Sequence, residues 1–233
     1  MTSIGPTLIR KLRKMQIFSS LNDTEIEEVV SKIIVKNYRK NEVILLEDYT
    51  SSHMYLVLSG QVKVVQTTRD GKEIIKAIHA AGDSFGELSL LDYETSPAEV
   101  VAMKDTSAAI ISKDNFLRIV HTQEKVLDNL IRMFCMRLRY LWERVQMGNF
   151  KNSEQRLSML FHQLSAIHGE PVEEGTLLNI SLTHKTLASM TGLCRETVTR
   201  TLDALKKSKC IKIQKGDRKV ILLPGFFKTG IVS

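Results

Sequence analysis

LTHKTLASMTGLCRETVTRTLDALKKSKC, residues Leu182 to Cys210, decides the architecture of this chain. Thr183 carries the side chain of a helix N-cap, and the residues behind it run without a breaker to Met190. Gly192 stands where a tight turn needs backbone freedom. A second helix is expected from Arg195 to about Ser208. The spacing of Ala188, Gly192 and Val198 suits a helix-turn-helix: a small residue admits close approach, glycine turns the chain, and a branched side chain packs back. At about 100° per residue, Arg195, Thr199, Glu196 and Arg200 share one side of the second helix, and Val198, Leu202 and Leu205 share the other. Taken alone, this pattern also fits an amphipathic surface helix with incidental charges.

Charge narrows the choice. From Lys185 to Lys219 there are ten Lys and Arg residues against three acids, Glu196, Asp203 and Asp217. The rest of the chain is balanced, so the whole formal excess of +7 sits in this segment. Such a concentration suits a polyanion-binding surface, although charge by itself fits a solvated lysine face equally. Beyond the second helix, CIKIQKGDRKVILLP reads as a hairpin turning at Gly216-Asp217, with Lys215, Arg218 and Lys219 near its tip for phosphate contact. Helix-turn-helix and hairpin together make a winged unit, whose second helix would enter a DNA major groove by its N-terminal end. Arg195 and Arg200 suit bidentate contacts to guanine, and Glu196 suits a cytosine amine. Four residues apart, Glu196 and Arg200 are also spaced to brace one another.

Upstream, about Gln123 to Val145 contains neither Gly nor Pro. Leu127, Ile131, Phe134, Leu138, Leu141 and Val145 advance by alternating four and three residues, a coiled-coil seam narrower than the stripe a domain core requires. A self-pairing helix fits this better than an intramolecular one, so a homodimer is expected. Gly148-Asn149 offers a hinge, and a further helix is expected from about Ser153 to Ile167. EPVEEGTLLNISL then reads as a loop and a short strand.

The N-terminal part reads helical around Pro6 to Met15 and again from Asn22, which caps TEIEEVVSKI. From Tyr38 the pattern changes to the short runs VILLE, MYLVLSG, QVKVVQTT and EIIKAIHA, with a hairpin signal at Asp70-Gly71. AEVVAM and SAAIIS supply further strands. The expected organisation is α+β: an antiparallel β domain with flanking helices over residues 1–122, a long helix and hinge over 123–150, and a winged helix-turn-helix over 151–233.

The composition, 43% hydrophobic and 25% charged, is that of a soluble globular chain. No apolar run nears the roughly 20 residues of a membrane span. The first residues lack a secretory signal's apolar core, so cytoplasm is the expected compartment. Cys135, Cys194 and Cys210 lie far apart without a C-x-x-C, which argues against a disulfide framework or a zinc site. Paired carboxylates, a nucleophile–base set and metal-ligand spacing are likewise missing, so a binding protein is expected rather than an enzyme.

One segment resists this reading. GELSLLDYETSPAEVV, Gly86 to Val101, opens like an anion cradle, a Gly-Glu-Leu turn leading into a few helical residues. Yet no Lys or Arg lies between Lys76 and Lys104, while Asp83, Glu87, Asp92, Glu94 and Glu99 are acidic.

The G-x-V-x-V and G-D-x-F-G-E-L turns, the long helix and the RETVTR helix together resemble the CRP/FNR family of bacterial transcription regulators, over about residues 15–225. The resemblance implies a jelly-roll type, cyclic-nucleotide-binding-like β-roll, a dimerisation helix and a C-terminal winged helix-turn-helix. It implies base readout by Arg195, Glu196 and Arg200, and backbone contact by Thr183, His184 and Thr197, which Lys185, Lys215, Arg218 and Lys219 would extend. A dimer would then read a palindrome with TGTGA-like half-sites in double-stranded DNA, with RNA polymerase as a further partner. In the cyclic-nucleotide-binding members an Arg-Ser pair follows the Gly-Glu-Leu turn; the Arg captures the cyclic phosphate and the Glu takes a ribose hydroxyl. Gly86, Glu87 and Leu88 match, but Ser96 and Pro97 stand at the Arg and Ser positions. Leu141 and Trp142 stand where a polar pair bonds the adenine. The expected effector is therefore not cAMP. An iron–sulfur cluster is not expected either, since no cysteine precedes Cys135. Haem held by His53, His79, Cys135 or a methionine, a thiol switch at Cys135 or Cys194, an uncharged or apolar metabolite, and no ligand at all stay open. The rival class is a small-ligand regulatory module acting on a protein partner without DNA.

Overall fold

The computed structural model describes residues 4–214 and 218–228. The chain divides into two compact units within its longest helix: one runs to Lys72 and from Lys76 to Arg137, the other from Leu138 onward together with Glu73–Ile75.

The first unit opens with α1 (Ile4–Arg13) and α2 (Asp23–Val30). Asn22 forms a full capping box, its side chain accepting from the Glu25 amide at 2.9 Å while the Glu25 carboxylate accepts from the Asn22 amide at 2.8 Å. Where helical periodicity carried the sequence reading on through TEIEEVVSKI, α2 ends at Val30 and Ile33–Tyr38 form β1. No Gly or Pro marks this change; a turn at Ser31-Lys32 makes it, and the β-branched Ile33, Ile34 and Val35 take the ladder that tertiary pairing offers.

Then follow β2 (Val43–Leu45), β3 (His53–Ser59), β4 (Gln61–Thr67), β5 (Glu73–Ala80), β6 (Ser84–Phe85), α3 (Leu88–Leu91), β7 (Glu99–Ala102), β8 (Thr106–Ser112), α4 (Lys113–Thr122) and α5 (Glu124–Gly148). The strands form two four-stranded sheets, β1-β8-β3-β6 and β2-β7-β4-β5, as expected of a β-roll. Tyr38, Val57, Val62, Phe85, Val100 and Ala102 form a core between strands of both sheets. A second core joins Leu12, Phe18 and Ile26 to Met54, Leu56, Ile111 and Phe116. Full burial of each such side chain stabilises by about 1.5–3 kcal/mol. Val126, Leu130 and Met133 of α5 enter this core, one face round from the predicted seam. Of the seam residues in this unit, Leu127 and Ile131 are exposed, whereas Phe134 packs partly against the core.

In the second unit come α6 (Ser153–His168), β9 (Gly169–Val172), β10 (Gly175–Leu178), α7 (His184–Thr191), α8 (Arg195–Lys207), β11 (Ile211–Ile213) and β12 (Val220–Leu222). The strands form an antiparallel sheet of order β11-β12-β10-β9. EPVEEGTLLNISL, read as a loop and one strand, thus contains a hairpin. Pro171 sits in β9 at the sheet's edge, where a strand tolerates a missing N–H, and it hid the strand from the sequence pattern. Leu157, Leu160, Phe161 and Leu164 bury α6, and Phe161 meets Phe226 edge-on at 6.5 Å. After Gly148 the chain is braced, since Arg156 donates to Phe150 O at 2.6 Å and to Gly148 O at 3.3 Å. Lys215 and the expected turn at Gly216-Asp217 lie outside the described residues. Among the described residues, no helix is long and apolar enough to cross a membrane.

Candidate nucleic-acid interface and ligand cradle

α7 starts as its sequence demands. The Thr183 hydroxyl accepts from the Thr186 amide at 3.0 Å, and Gly192 ends the helix in the left-handed region at φ 71°, its amide bonding Ala188 O at 3.0 Å. Val198, Leu202 and Leu205 bury the inner face of α8. Arg195, Glu196 and Arg200 are left exposed on the outer side, as the wheel requires. Arg200 pairs with Thr197 Oγ1 at 3.3 Å. The expected Glu196 brace is not formed: a solvent-exposed ion pair gains at most about 1 kcal/mol, too little to fix two long side chains.

Two contacts fasten α8 to its surroundings. Thr201 Oγ1 lies 3.0 Å from Ser153 Oγ of α6, and Thr199 Oγ1 lies 2.8 Å from His184 Nδ1. Thr199 donates its single hydroxyl proton to Arg195 O at 3.0 Å. With that proton engaged, the hydroxyl oxygen is placed to accept from His184 in the tautomer that carries its proton on Nδ1. The sequence does not announce this strut, which joins the first residue of α7 to the interior of α8, 15 residues along the chain.

Thr183, His184, Lys185, Arg195 and Arg218 come together around one groove of about 470 Å³. The Leu182 amide donates to Arg218 O at 3.1 Å, which ties the start of α7 to the wing. Thr197 is half-buried, with Cys194 Sγ 3.0 Å from its hydroxyl. That contact and the Thr197 amide hold the exposed Cys194 thiol below its ordinary pKa. Lys219 stands apart, donating to Asn179 Oδ1 at 2.6 Å.

The cradle of the first unit is built at Gly86, whose φ of 86° only glycine takes readily; a Cβ there would stand 2.9 Å from His53 O and 3.1 Å from the Tyr55 ring. Glu87 follows, 1% exposed, and its Oε1 pairs with Arg137 Nη1 of α5. Arg137 Nη2 donates to Ser84 O at 2.7 Å. The cradle thus has a cation, supplied from outside the segment that seemed to lack one. Arg137 continues the buried stripe Val126-Leu130-Met133 by a step of four, which is the signal the sequence held. Glu87 Oε2 is buried without a partner. Leu88 is exposed, and so is Pro97. Ser96 is buried and consumed locally: its hydroxyl donates to Ala98 O at 2.8 Å and its amide to Tyr49 O at 3.0 Å. In the second unit Leu138, Leu141, Trp142 and Val145 are 48–71% exposed.

The other candidate ligands are engaged or outlying. His53 Nδ1 lies 2.8 Å from Ser52 Oγ, and His79 stacks on Phe85 beside Asp83. Cys135 is exposed and Cys210 buried. Among the described residues no three His, Cys, Asp or Glu side chains cluster to hold a metal ion.

Residues 35–123 match the cyclic nucleotide-binding domain, and residues 155–224 match the Crp-like helix-turn-helix domain. The cyclic AMP receptor protein of Thermus thermophilus is 26% identical over 204 residues, covering 88% of this chain and 91% of its own. The anaerobic regulatory protein of Bacillus subtilis is 26% identical over 208 residues, covering 88% and 86%. In fold, FixK2 from Bradyrhizobium japonicum superposes with a TM-score of 0.74 at 22% identity, over 86% of this chain and 98% of that one. A cyclic-nucleotide-binding β domain followed along one chain by this helix-turn-helix places the protein in the CRP/FNR family of transcription regulators.

Proposed function

We propose that the protein is a homodimer that reads a DNA palindrome with TGTGA-like half-sites and is controlled by an effector other than cAMP. One observation carries the DNA reading: Arg195, Glu196 and Arg200 stand exposed on the outer side of a helix whose opposite face is locked in a core. Arg195 and Arg200 would take guanines and Glu196 a cytosine amine. Thr183, His184, Lys185, Thr197 and Arg218 would hold phosphates, with Lys215 and Lys219 contributing from the wing. RNA polymerase is the partner such a regulator would address. Pairing along Leu127, Ile131, Phe134, Leu138, Leu141 and Val145 would set the spacing of the two recognition helices, with domain limits near residues 122 and 150.

The sensor reading rests on Ser96 and Pro97. A cyclic phosphate would find no guanidinium there; Ser96 spends its hydroxyl on Ala98 O, and Pro97 has no N–H to give. Arg137 does not replace the missing group, being paired with Glu87 and bonded to Ser84 O. The unpartnered Glu87 Oε2 favours an uncharged ligand that offers a hydroxyl. Such a ligand acts only through unequal affinity for two states of the dimer.

Fluorescence anisotropy with a labelled palindrome tests both parts. Arg200→Ala is expected to lose about 1–3 kcal/mol and to relax discrimination at one base pair per half-site. Wild-type protein binding palindrome and scrambled duplex alike would refute the readout. A saturable tightening by cAMP would refute the sensor reading.

A further inference from the structure

α5 is anchored by a second arginine, two turns beyond Arg137. Arg144 stands seven residues on and so on the same side of the helix, while the exposed seam residues Leu141 and Val145 lie about 60–100° round from it. Its Nη2 donates to Ile75 O of β5 at 3.2 Å and to Met190 O of α7 at 3.0 Å. Ile75 and Met190 are no more than 4% exposed, and burial pushes the guanidinium pKa below its ordinary value. Desolvating a cation costs free energy, which the planar fork of arginine offsets by reaching two carbonyls at once.

Met190 O is the telling partner. It belongs to the last turn of α7, where a helix leaves its carbonyls without donors and its dipole favours a cation. Five residues later Arg195 opens α8, with Gly192 making the turn between them. The His184–Thr199 contact ties α7 and α8 together. Arg144 thus grips the helix-turn-helix at the base of its turn, from the helix that carries the seam. All of these residues lie in the second unit.

We propose that Arg144 is a positioning residue for operator recognition, fixing the angle between α5 and the recognition helix and so the half-site spacing that a dimer accepts. Its guanidinium is engaged by the two carbonyls and takes no part in contacting DNA. Two recognition helices must meet the major groove about 34–36 Å apart. A helix-turn-helix held rigidly on the dimer helix concentrates the second reading head at that one spacing. Released, the head samples many spacings, each at lower effective concentration. The inference rests on the dimeric DNA reading given above.

Anisotropy on the full chain tests this with three duplexes: the matched palindrome, one widened by two base pairs at its centre, and a lone half-site. Widening turns one half-site by about 70° and shifts it by about 7 Å. Wild type should lose about thirtyfold or more on the widened duplex. Arg144→Met keeps the apolar stem and should bind the lone half-site as wild type does. It should bind the matched palindrome about tenfold more weakly and lose no more than about threefold on widening. Arg144→Lys keeps the charge without the fork; it should fall between the two, and it decides the matter if the methionine variant misfolds. A merely structural role would weaken all three duplexes alike and leave the spacing ratio at its wild-type value; that result in a folded variant overturns the proposal. A second readout needs no DNA: pulsed EPR between spin labels on Cys194 of the two subunits, in a Cys135→Ser background with Cys210 buried. The distance distribution should broaden in Arg144→Met, and an unchanged one overturns the fixing of α8. Wild type that prefers its palindrome, with a spacing preference that both variants retain, sinks this inference alone. Wild type that binds no duplex, or is indifferent to spacing, sinks the dimeric DNA reading with it.

Discussion

Arg137 shows how far one side chain's role is set by its partner. Glu87 is 1% exposed, so its charge is tolerable only beside a cation, and Arg137 Nη1 is that cation. Breaking a buried pair by removing one partner costs about 3–5 kcal/mol. The lower end applies here, because the arginine side chain keeps 30% of its exposure. Arg137→Met is therefore expected to destabilise the first unit by about 3 kcal/mol in urea titrations, and Glu87→Gln in the same background to recover most of the loss. No recovery would mean that Arg137 acts by packing rather than by charge. Cys194 offers a second test. Thr197 stabilises its thiolate by hydrogen bonding, so the folded pKa lies below that of an ordinary thiol and the thiolate forms at lower pH. Iodoacetamide labelling of Cys194 should accordingly rise with pH through a midpoint lower than that of free cysteine. Thr197→Val should move the midpoint up, and a bound operator should protect the thiol.

Turns and helix ends carry the next level of specificity, and two glycines separate its causes. Gly192 and Gly86 both have positive φ, but a Cβ at Gly192 meets nothing within 4 Å, whereas one at Gly86 runs into His53 O and Tyr55. Gly192→Ala should thus lose only the left-handed penalty, about 1–2 kcal/mol. Gly86→Ala adds about 1–3 kcal/mol of overpacking, a difference that thermal unfolding of the two variants resolves. The same contrast explains what the sequence disclosed. Thr183, Gly192 and the Val198-Leu202-Leu205 face act within a few residues of one another, so the helix-turn-helix could be read directly. So could the capping box at Asn22. β1 escaped because its start lacks a breaker, and β9 because Pro171 contradicts strand propensity; in both, a ladder to a distant strand decides. The Arg137–Glu87 pair spans 50 residues, and only burial of Glu87 makes it necessary. The groove under Arg195 and Arg218 was hidden for the same reason, since its lining joins α7, α8 and two wing strands.

For the molecule as a whole, charge and apolar seam make separate demands on DNA binding, and they can be taken apart. The +7 excess lies in one segment of each chain, so a protein that engages several phosphates must lose affinity steeply with added salt, in proportion to the phosphates neutralised. In the proposed dimer, the seam would decide how many such segments meet one duplex. Leu127, Ile131, Leu138, Leu141 and Val145 are between 40% and 71% exposed in the single chain, so neither unit uses them as core. Substituting Ile131 and Leu138 together by glutamate should therefore leave each chain folded while setting like charges against each other across a dimer axis. Sedimentation equilibrium should show the mass falling from dimer to monomer. Losing the second tethered reading head should weaken binding to the palindrome by about 10²-fold or more. Binding to a lone half-site should change little, and its salt slope should persist, because Arg195, Arg200, Lys185 and Arg218 are untouched. A double variant that stays dimeric would show that the subunits meet elsewhere. One that becomes monomeric yet binds the palindrome undiminished would show that a single recognition helix suffices.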